Sequence, residues 1–227
     1  MDELTISSWL WGQSYSQVDV KRLAAGFKRH LKQPYRFVLF SEHQYDIEGV
    51  ECYPIPDLDL TKVKGCFARL RMFDPEFQAR HKITGRLVLT DLDTVITGPL
   101  DPLFDRTETF VILQGANAVN PCPYTGALQM LKSGAFPEVW SDFSLEAAEK
   151  IPKLEFADDQ GWLWHKLPDA AGWKAGKNGV YAFQKPGWPG LNAVWDLPKD
   201  ARLVTFVGRR KPSRYKYLDW VRKNWKE

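Results

Sequence analysis

No run of about 18 apolar residues occurs in the 227-residue chain, so the sequence offers no candidate membrane span. The opening residues, Met1-Asp2-Glu3-Leu4-Thr5, have neither a basic segment nor an apolar core, so no secretory leader is expected. Cysteine is scarce. Cys52, Cys66 and Cys122 are odd in number and widely spaced, which argues against a disulfide framework or a metal-type pair. Reduced thiols in a cytoplasmic protein are the simplest expectation. The four histidines (His30, His43, His81 and His165) show no ligand spacing. Repeats and low-complexity tracts are absent, and 44% hydrophobic with 26% charged residues sets disorder and fibres aside.

Two features stand out. The net charge of +3 is unevenly placed: residues 199–227 hold ten Lys/Arg against Asp200, Asp219 and Glu227. Such a segment can meet phosphates, an anionic membrane or nucleic acid, or simply be a solvated face. Aromatic residues make up 14%, with 10 Trp. Aromatics at this density build a large core or a platform for flat ligands.

Periodicity predicts strands at 5–10, 36–40 and 50–53. Val20, Leu23, Ala24, Phe27 and Leu31 follow the spacing of an amphipathic helix over 17–31, and Ser16 with Asp19 resembles a capping box. A polar loop is expected from Pro54 to about residue 62, and a helix from Phe67 to Phe77. Arg86-Leu87-Val88-Leu89-Thr90 reads as a buried parallel strand. Further strands are expected near 109–113, 126–131 (strand or turn), 179–183 and 202–206. Helices are expected near 136–147, 157–166 and 214–225, with 168–198 mainly loop. Strands alternating with helices predict an α/β domain with a mostly parallel sheet.

Asp91-Leu92-Asp93 directly follows the 86–90 strand. Ligands of open α/β sheets bind beyond the carboxyl ends of strands. Alternation aims Asp91 and Asp93 the same way, and paired carboxylates suit a hard cation such as Mg²⁺ or Mn²⁺. An ordinary Asp turn is the competing explanation. Lys64 and Arg69, about twenty residues earlier, can neutralise a diphosphate or pair with an aspartate; solvated charges are the alternative.

Together these segments resemble the GT-A-fold nucleotide-sugar glycosyltransferases, above all glycosyltransferase family 8 and its bacterial relatives. The resemblance rests on Trp9-Leu10-Trp11-Gly12 after the first strand, the Lys64 to Arg69 segment, and Asp91-Leu92-Asp93 with Gly98-Pro99-Leu100 beyond it. It continues in Pro123 to Met130, in Asp158-Asp159-Gln160, and in Phe206-Val207-Gly208-Arg209-Arg210-Lys211-Pro212 followed by Trp220 and Trp225.

The resemblance implies one GT-A (Rossmann-like) domain over 1–227, with a C-terminal helix. The implied activity is transfer of a sugar from a nucleotide diphosphate donor, a UDP-sugar favoured, to a hydroxyl of a carbohydrate, glycolipid or protein. It implies Mn²⁺ or Mg²⁺ on Asp91 and Asp93, and retention of anomeric configuration. Trp9, Trp11, Lys64, Arg69, Asp91, Leu92, Asp93, Gly208 and Lys211 would bind the donor. Tyr124, Thr125, Gly126, Asp158, Asp159 and Gln160 would face the acceptor, with Asp159 and Arg69 taking part in catalysis. No nucleic-acid polymer is expected as partner; the basic C-terminal segment offers a membrane contact.

Two departures matter. Val207 stands where the family usually places a metal-binding His, and Tyr124 where many relatives carry Asn. Val207 therefore favours an alternative, a weakened protein that only binds sugar or nucleotide. A further alternative is a haloacid-dehalogenase-like phosphatase using Asp91 as nucleophile and Asp93 as acid/base, with Lys153 and Asp158-Asp159. Against it, about 85 residues precede the motif, and Thr94 replaces the usual Gly. The alignment of the C-terminal motif is testable. Val207→His is expected to tighten Mn²⁺ binding in a direct titration, and an unchanged affinity would contradict the alignment.

Overall fold

In the computed structural model, residues 4–116, 121–152, 154, 156–190 and 193–227 are described. Among the described residues there are ten strands: β1 (Leu4–Leu10), β2 (Tyr35–Ser41), β3 (Glu51–Pro54), β4 (Arg86–Thr90), β5 (Thr94–Ile96), β6 (Phe110–Gln114), β7 (Tyr124–Lys132), β8 (Ala171–Lys174), β9 (Val180–Ala182) and β10 (Leu203–Thr205). Seven of them form one sheet in the order β3-β2-β1-β4-β7-β6-β8. Four of its six pairings are parallel, and β7 runs antiparallel to both β4 and β6. A smaller sheet, β5-β10-β9, stands beside it. This is the mixed α/β architecture with a mostly parallel sheet that the sequence predicts.

Strand alternation divides the interior between the two faces of the large sheet. Phe37 and Leu39 of β2 join Phe27, Leu103 and Trp173 on one side, while Val38 and Phe40 join Phe67, Phe77 and Trp162 on the other. Covered on both faces, β1 is buried along its whole length, as a central parallel strand should be.

The helix Gln17–His30 starts at Ser16, and the capping box with Asp19 forms in both directions. Val20, Leu23 and Phe27 of its apolar stripe are buried and Ala24 is half-buried, and the Phe27 ring lies 5.7 Å from Phe37 and 6.4 Å from Phe104.

Several elements depart from expectation. The Phe67–Phe77 segment is a 3-10 helix over Phe67–Phe73 and then an α-helix over Pro75–Arg80, separated at Asp74. Asp74 is extended and caps the Glu76 N–H, and the following proline fits only the first turn of a new helix. The 136–147 stretch forms two short helices, Glu138–Ser141 and Leu145–Glu149, the second capped by Ser144. The C-terminal helix shortens to Asp219–Asn224, preceded by a 3-10 turn over Pro212–Tyr215. The expected 54–62 loop holds a helical turn, Leu58–Thr61, and the 168–198 stretch, expected to be mainly loop, holds β8 in addition to the expected strand β9.

Of the tryptophans between 162 and 195, Trp162, Trp173 and Trp188 are buried and donate to backbone carbonyls of Val139, Leu103 and Ala193. Trp195 alone among them is exposed, at 64%. Packing therefore accounts for three of them. Among the described residues, no helix is long and apolar enough to cross a membrane. Phe27→Ala is expected to destabilise the chain by about 3–5 kcal/mol, the scale of a large-to-small change in a core that cannot fully collapse. A urea unfolding midpoint unchanged from that of the parent protein would contradict the packing described.

Candidate active site

Strand β4 lies between β1 and β7 at the centre of the large sheet, so its carboxyl end opens onto the middle of one sheet edge. A cleft of about 320 Å³ lies there, lined by residues that include Trp11, Tyr15, Cys66, Arg69, Asp91, Asp93, Gly208 and Lys211. That is the lower end of the roughly 300–1,000 Å³ common for small-molecule sites. Backbone bonds fix the Asp91-Leu92-Asp93 turn: the Asp91 N–H donates to Ala127 O at 3.1 Å, and the Phe206 N–H donates to Asp93 O at 3.0 Å. Leu92 is 2% exposed and joins the core, and both aspartates line the cleft as alternation requires.

Arg69 ties the site together from the 3-10 helix. Its Nε and Nη2 donate to Asp159 Oδ2 at 3.0 and 2.5 Å, and its Nη1 donates to Asp91 Oδ1 and to Gly126 O at 3.3 Å. Burial opposes its charge, but Asp159 and Asp91 outweigh burial and raise its pKa. The space for the guanidinium depends on Gly126, where a Cβ would lie 2.6 Å from Arg69 Nη2. Burial pushes the Asp159 carboxyl from 3.8 up to about 7, against the pull of Arg69. The Gln160 N–H donates to its Oδ1 at 2.9 Å.

Lys211 and Tyr15 hold the second aspartate. Asp93 Oδ2 accepts from Lys211 Nζ at 3.0 Å and from the Tyr15 hydroxyl at 2.5 Å. Asp93 Oδ1 is buried without a hydrogen-bond partner among the described residues. Burial and then the Asp91 charge push the Asp93 carboxyl up to about 6, with Lys211 and Tyr15 opposing. Burial, followed by Asp93 and Asp91, also drives the Tyr15 phenol upward, so it stays protonated and donates.

Not all of the other sequence candidates line the cleft. Trp9 reaches the cleft wall but is packed against Phe40 and Phe77. Lys64 sits over the Phe156 ring, 4.6 Å from its centroid, and does not line the cleft. Tyr124 is buried, and its hydroxyl donates to the Leu167 and Pro168 carbonyls; its ring belongs to the core and makes no cleft wall. Thr125 is buried beside it. Asp158 caps the helix Asp159–Lys166 by accepting from the Gly161 N–H, and Gln160 Oε1 accepts from the Gly126 N–H at 3.0 Å. Gly208 has φ +79°, a conformation open chiefly to glycine, at the cleft rim. Val207 is half-buried and is not among the cleft residues. Lys153 lies outside the described residues. Sequence reasoning missed Tyr15, Ser14 and Cys66 on the cleft wall. The signal for Tyr15 and Ser14 was their place in the loop that leaves the carboxyl end of β1.

The donor chemistry here suits a hard divalent cation: two carboxylates, a buried oxygen on Asp93 with no partner among the described residues, and three acidic side chains against two cations. Among the described residues no group of three or more His, Cys, Asp or Glu is placed to hold a metal ion, which leaves Asp91 and Asp93 as the candidate ligands in the cleft.

The result is a GT-A-like fold, a mostly parallel sheet with an acidic turn at the end of its central strand. Solved structures share it. Galactosyltransferase LgtC, in complex with donor and acceptor sugar analogs, superposes with a TM-score of 0.60 at 10% identity, over 98% of this chain and 96% of that one. The glycosyltransferase GlyE of Streptococcus pneumoniae TIGR4 gives 0.62 at 13% identity, over 98% of this chain and 61% of that one. A glycosyltransferase involved in glycosylation of the major capsid of PBCV-1 gives 0.58 at 14% identity, over 96% and 98%. No protein-family model and no curated protein sequence matches the chain.

Between 3.8 and about 7 the folded chain keeps a proton on Asp159 that the unfolded chain has lost, so this group's contribution to stability falls as pH rises through about 7. Arg69→Met removes the cation that makes the ionised form tolerable. The expected loss is about 3–5 kcal/mol at pH 8, and less at pH 5, where the carboxyl is neutral in both proteins. Equal losses at the two pH values would contradict the pairing.

Proposed function

We propose that this protein is a glycosyltransferase that moves a sugar from a nucleotide diphosphate donor, a UDP-sugar favoured, to a hydroxyl acceptor. The observation that carries the reading is the convergence of Asp91, Asp93, Arg69 and Lys211 on one cleft at the carboxyl end of the central strand. The GT-A fold supports it.

In this reading Asp91 and Asp93 hold Mn²⁺ or Mg²⁺. When bound, the ion offsets negative charge on the departing diphosphate. The chain's own groups do the rest. Lys211 donates to the diphosphate as the bond from the anomeric carbon to oxygen breaks, and the Gly208 backbone allows close approach. Trp11, half-buried on the cleft wall, borders the base. Arg69 holds Asp91 and Asp159 in register. Asp159 is 4% exposed in its side chain and clamped by Arg69, so its part is to position Arg69 and the segment that faces the acceptor. We propose retention of configuration.

The acceptor is a hydroxyl of a carbohydrate, glycolipid or protein. The exposed ring pair Trp195–Tyr217, 5.8 Å apart, and the exposed Arg209, Arg214, Lys216 and Lys223 form the proposed surface toward an acceptor or an anionic membrane. The three free cysteines accord with a cytoplasmic setting. Val207 favours a second reading, a protein that binds donor without transferring sugar.

Labelled UDP-sugars with Mn²⁺ separate these. Transfer or slow donor hydrolysis is expected, falling at least about 100-fold in the isosteric Asp93→Asn, the scale on which preorganised charge stabilisation acts. Tight donor binding with no turnover would support the binding protein. Phosphate release from simple esters without sugar transfer would support the phosphatase.

A further inference from the structure

Three groups far apart in the chain meet at one oxygen atom. Lys211 Nζ lies 3.0 Å from Asp93 Oδ2 across 118 residues, and the Tyr15 hydroxyl lies 2.5 Å from the same atom across 78. Lys211 also donates to the Tyr15 hydroxyl, and its ammonium sits 3.9 Å from the centroid of the Tyr15 ring. Both ends of this arrangement are anchored. Tyr15 immediately precedes the Ser16 cap of the first helix, and Lys211 immediately precedes the Pro212–Tyr215 turn. The ammonium therefore has a carboxylate, a phenol oxygen and a ring face, and Asp93 already has a cation.

A divalent ion on Asp93 would share that carboxylate with the ammonium, and like charges a few Å apart repel strongly when partly shielded from water. Val207 supplies no further ligand to tip the competition. A diphosphate changes the balance, because it offers the flexible lysine a more highly charged acceptor set than one carboxylate oxygen.

We infer that Lys211 is the resident counter-cation of Asp93, held there by Tyr15, and that it yields Asp93 to metal only when a diphosphate draws its ammonium away. The inference rests on the reading of this cleft as a metal-assisted nucleotide-sugar site. It makes uptake of metal and diphosphate mutually dependent, and by linkage each raises the affinity of the other by the same factor. Tyr15 is a positioning residue, acting through Lys211.

The test is Mn²⁺ affinity, read from the free-ion electron paramagnetic resonance signal of the full chain, with and without UDP and against a UDP–Mn²⁺ blank. The parent protein is expected to bind Mn²⁺ alone at least tenfold more weakly than with UDP. Lys211→Met should bind Mn²⁺ alone at least tenfold more tightly than the parent and gain less from UDP. Tyr15→Phe should shift in the same direction by a smaller factor, and it carries the test if Lys211→Met does not fold. Arg210→Gln removes equal charge from the same loop, but Arg210 contacts Gln184 rather than Asp93, so it should stay within threefold of the parent. Equal shifts in Lys211→Met and Arg210→Gln, or Mn²⁺ binding unaltered by Lys211→Met and Tyr15→Phe, would overturn the inference while leaving the metal site standing. No Mn²⁺ binding by any variant, with or without UDP, would overturn the metal site and the inference together.

Discussion

The guanidinium of Arg69 is the joint on which the site depends. It reaches Asp91 across 22 residues, Gly126 across 57 and Asp159 across 90. These are the end of β4, the start of β7 and the first turn of the helix Asp159–Lys166. Each is placed by its own local chemistry: a buried strand, a glycine that leaves room, and an Asp158 cap. A buried cation with this many acceptors is tolerable only when all of them stay in position. Order in the cleft wall therefore follows from one side chain, and the Asp159 N–H bond to Gly65 O at 2.8 Å draws the loop before the 3-10 helix into the same unit.

Beside this joint stands a second charged cluster with a different character. Arg69 is 11% exposed in its side chain and enclosed by partners, whereas Lys211 is 22% exposed and has a long, mobile stem. The first suits a fixed scaffold, and the second suits exchange of partners. Asp93 belongs to both settings, buried like Asp159 but with one oxygen left bare. The division between a rigid pair and an exchangeable pair, across two residues of one turn, is what gives the cleft a chemical direction.

Much of this was legible in the sequence, for physical reasons. The runs in β2 and β4 are largely apolar because both sheet faces are covered. Ser16 and Asp19 mark the first helix because capping is local. Asp91 and Asp93 declare themselves at a strand end. What escaped depends on distant partners. The three residues of β5 are a strand only because β10 lies antiparallel to them, over a hundred positions away. Strand β8 is short and pairs with β6 from 60 positions away. Tyr124 looked like an acceptor contact from its place in a motif, but burial of its ring and two carbonyl acceptors make it a core residue. Lys64 found an aromatic face that no spacing rule announces. Tyr15 carries no motif, and its importance comes wholly from Asp93 and Lys211.

The central claim is that a nucleotide diphosphate-sugar occupies this cleft. A crystal structure of the protein grown with Mn²⁺ and UDP tests it most directly. The account predicts the diphosphate beside Lys211 and Gly208, with an anomalous-scattering peak for Mn²⁺ at Asp91 and Asp93. An empty cleft at saturating UDP and Mn²⁺, or a nucleotide bound elsewhere on the chain, would contradict it.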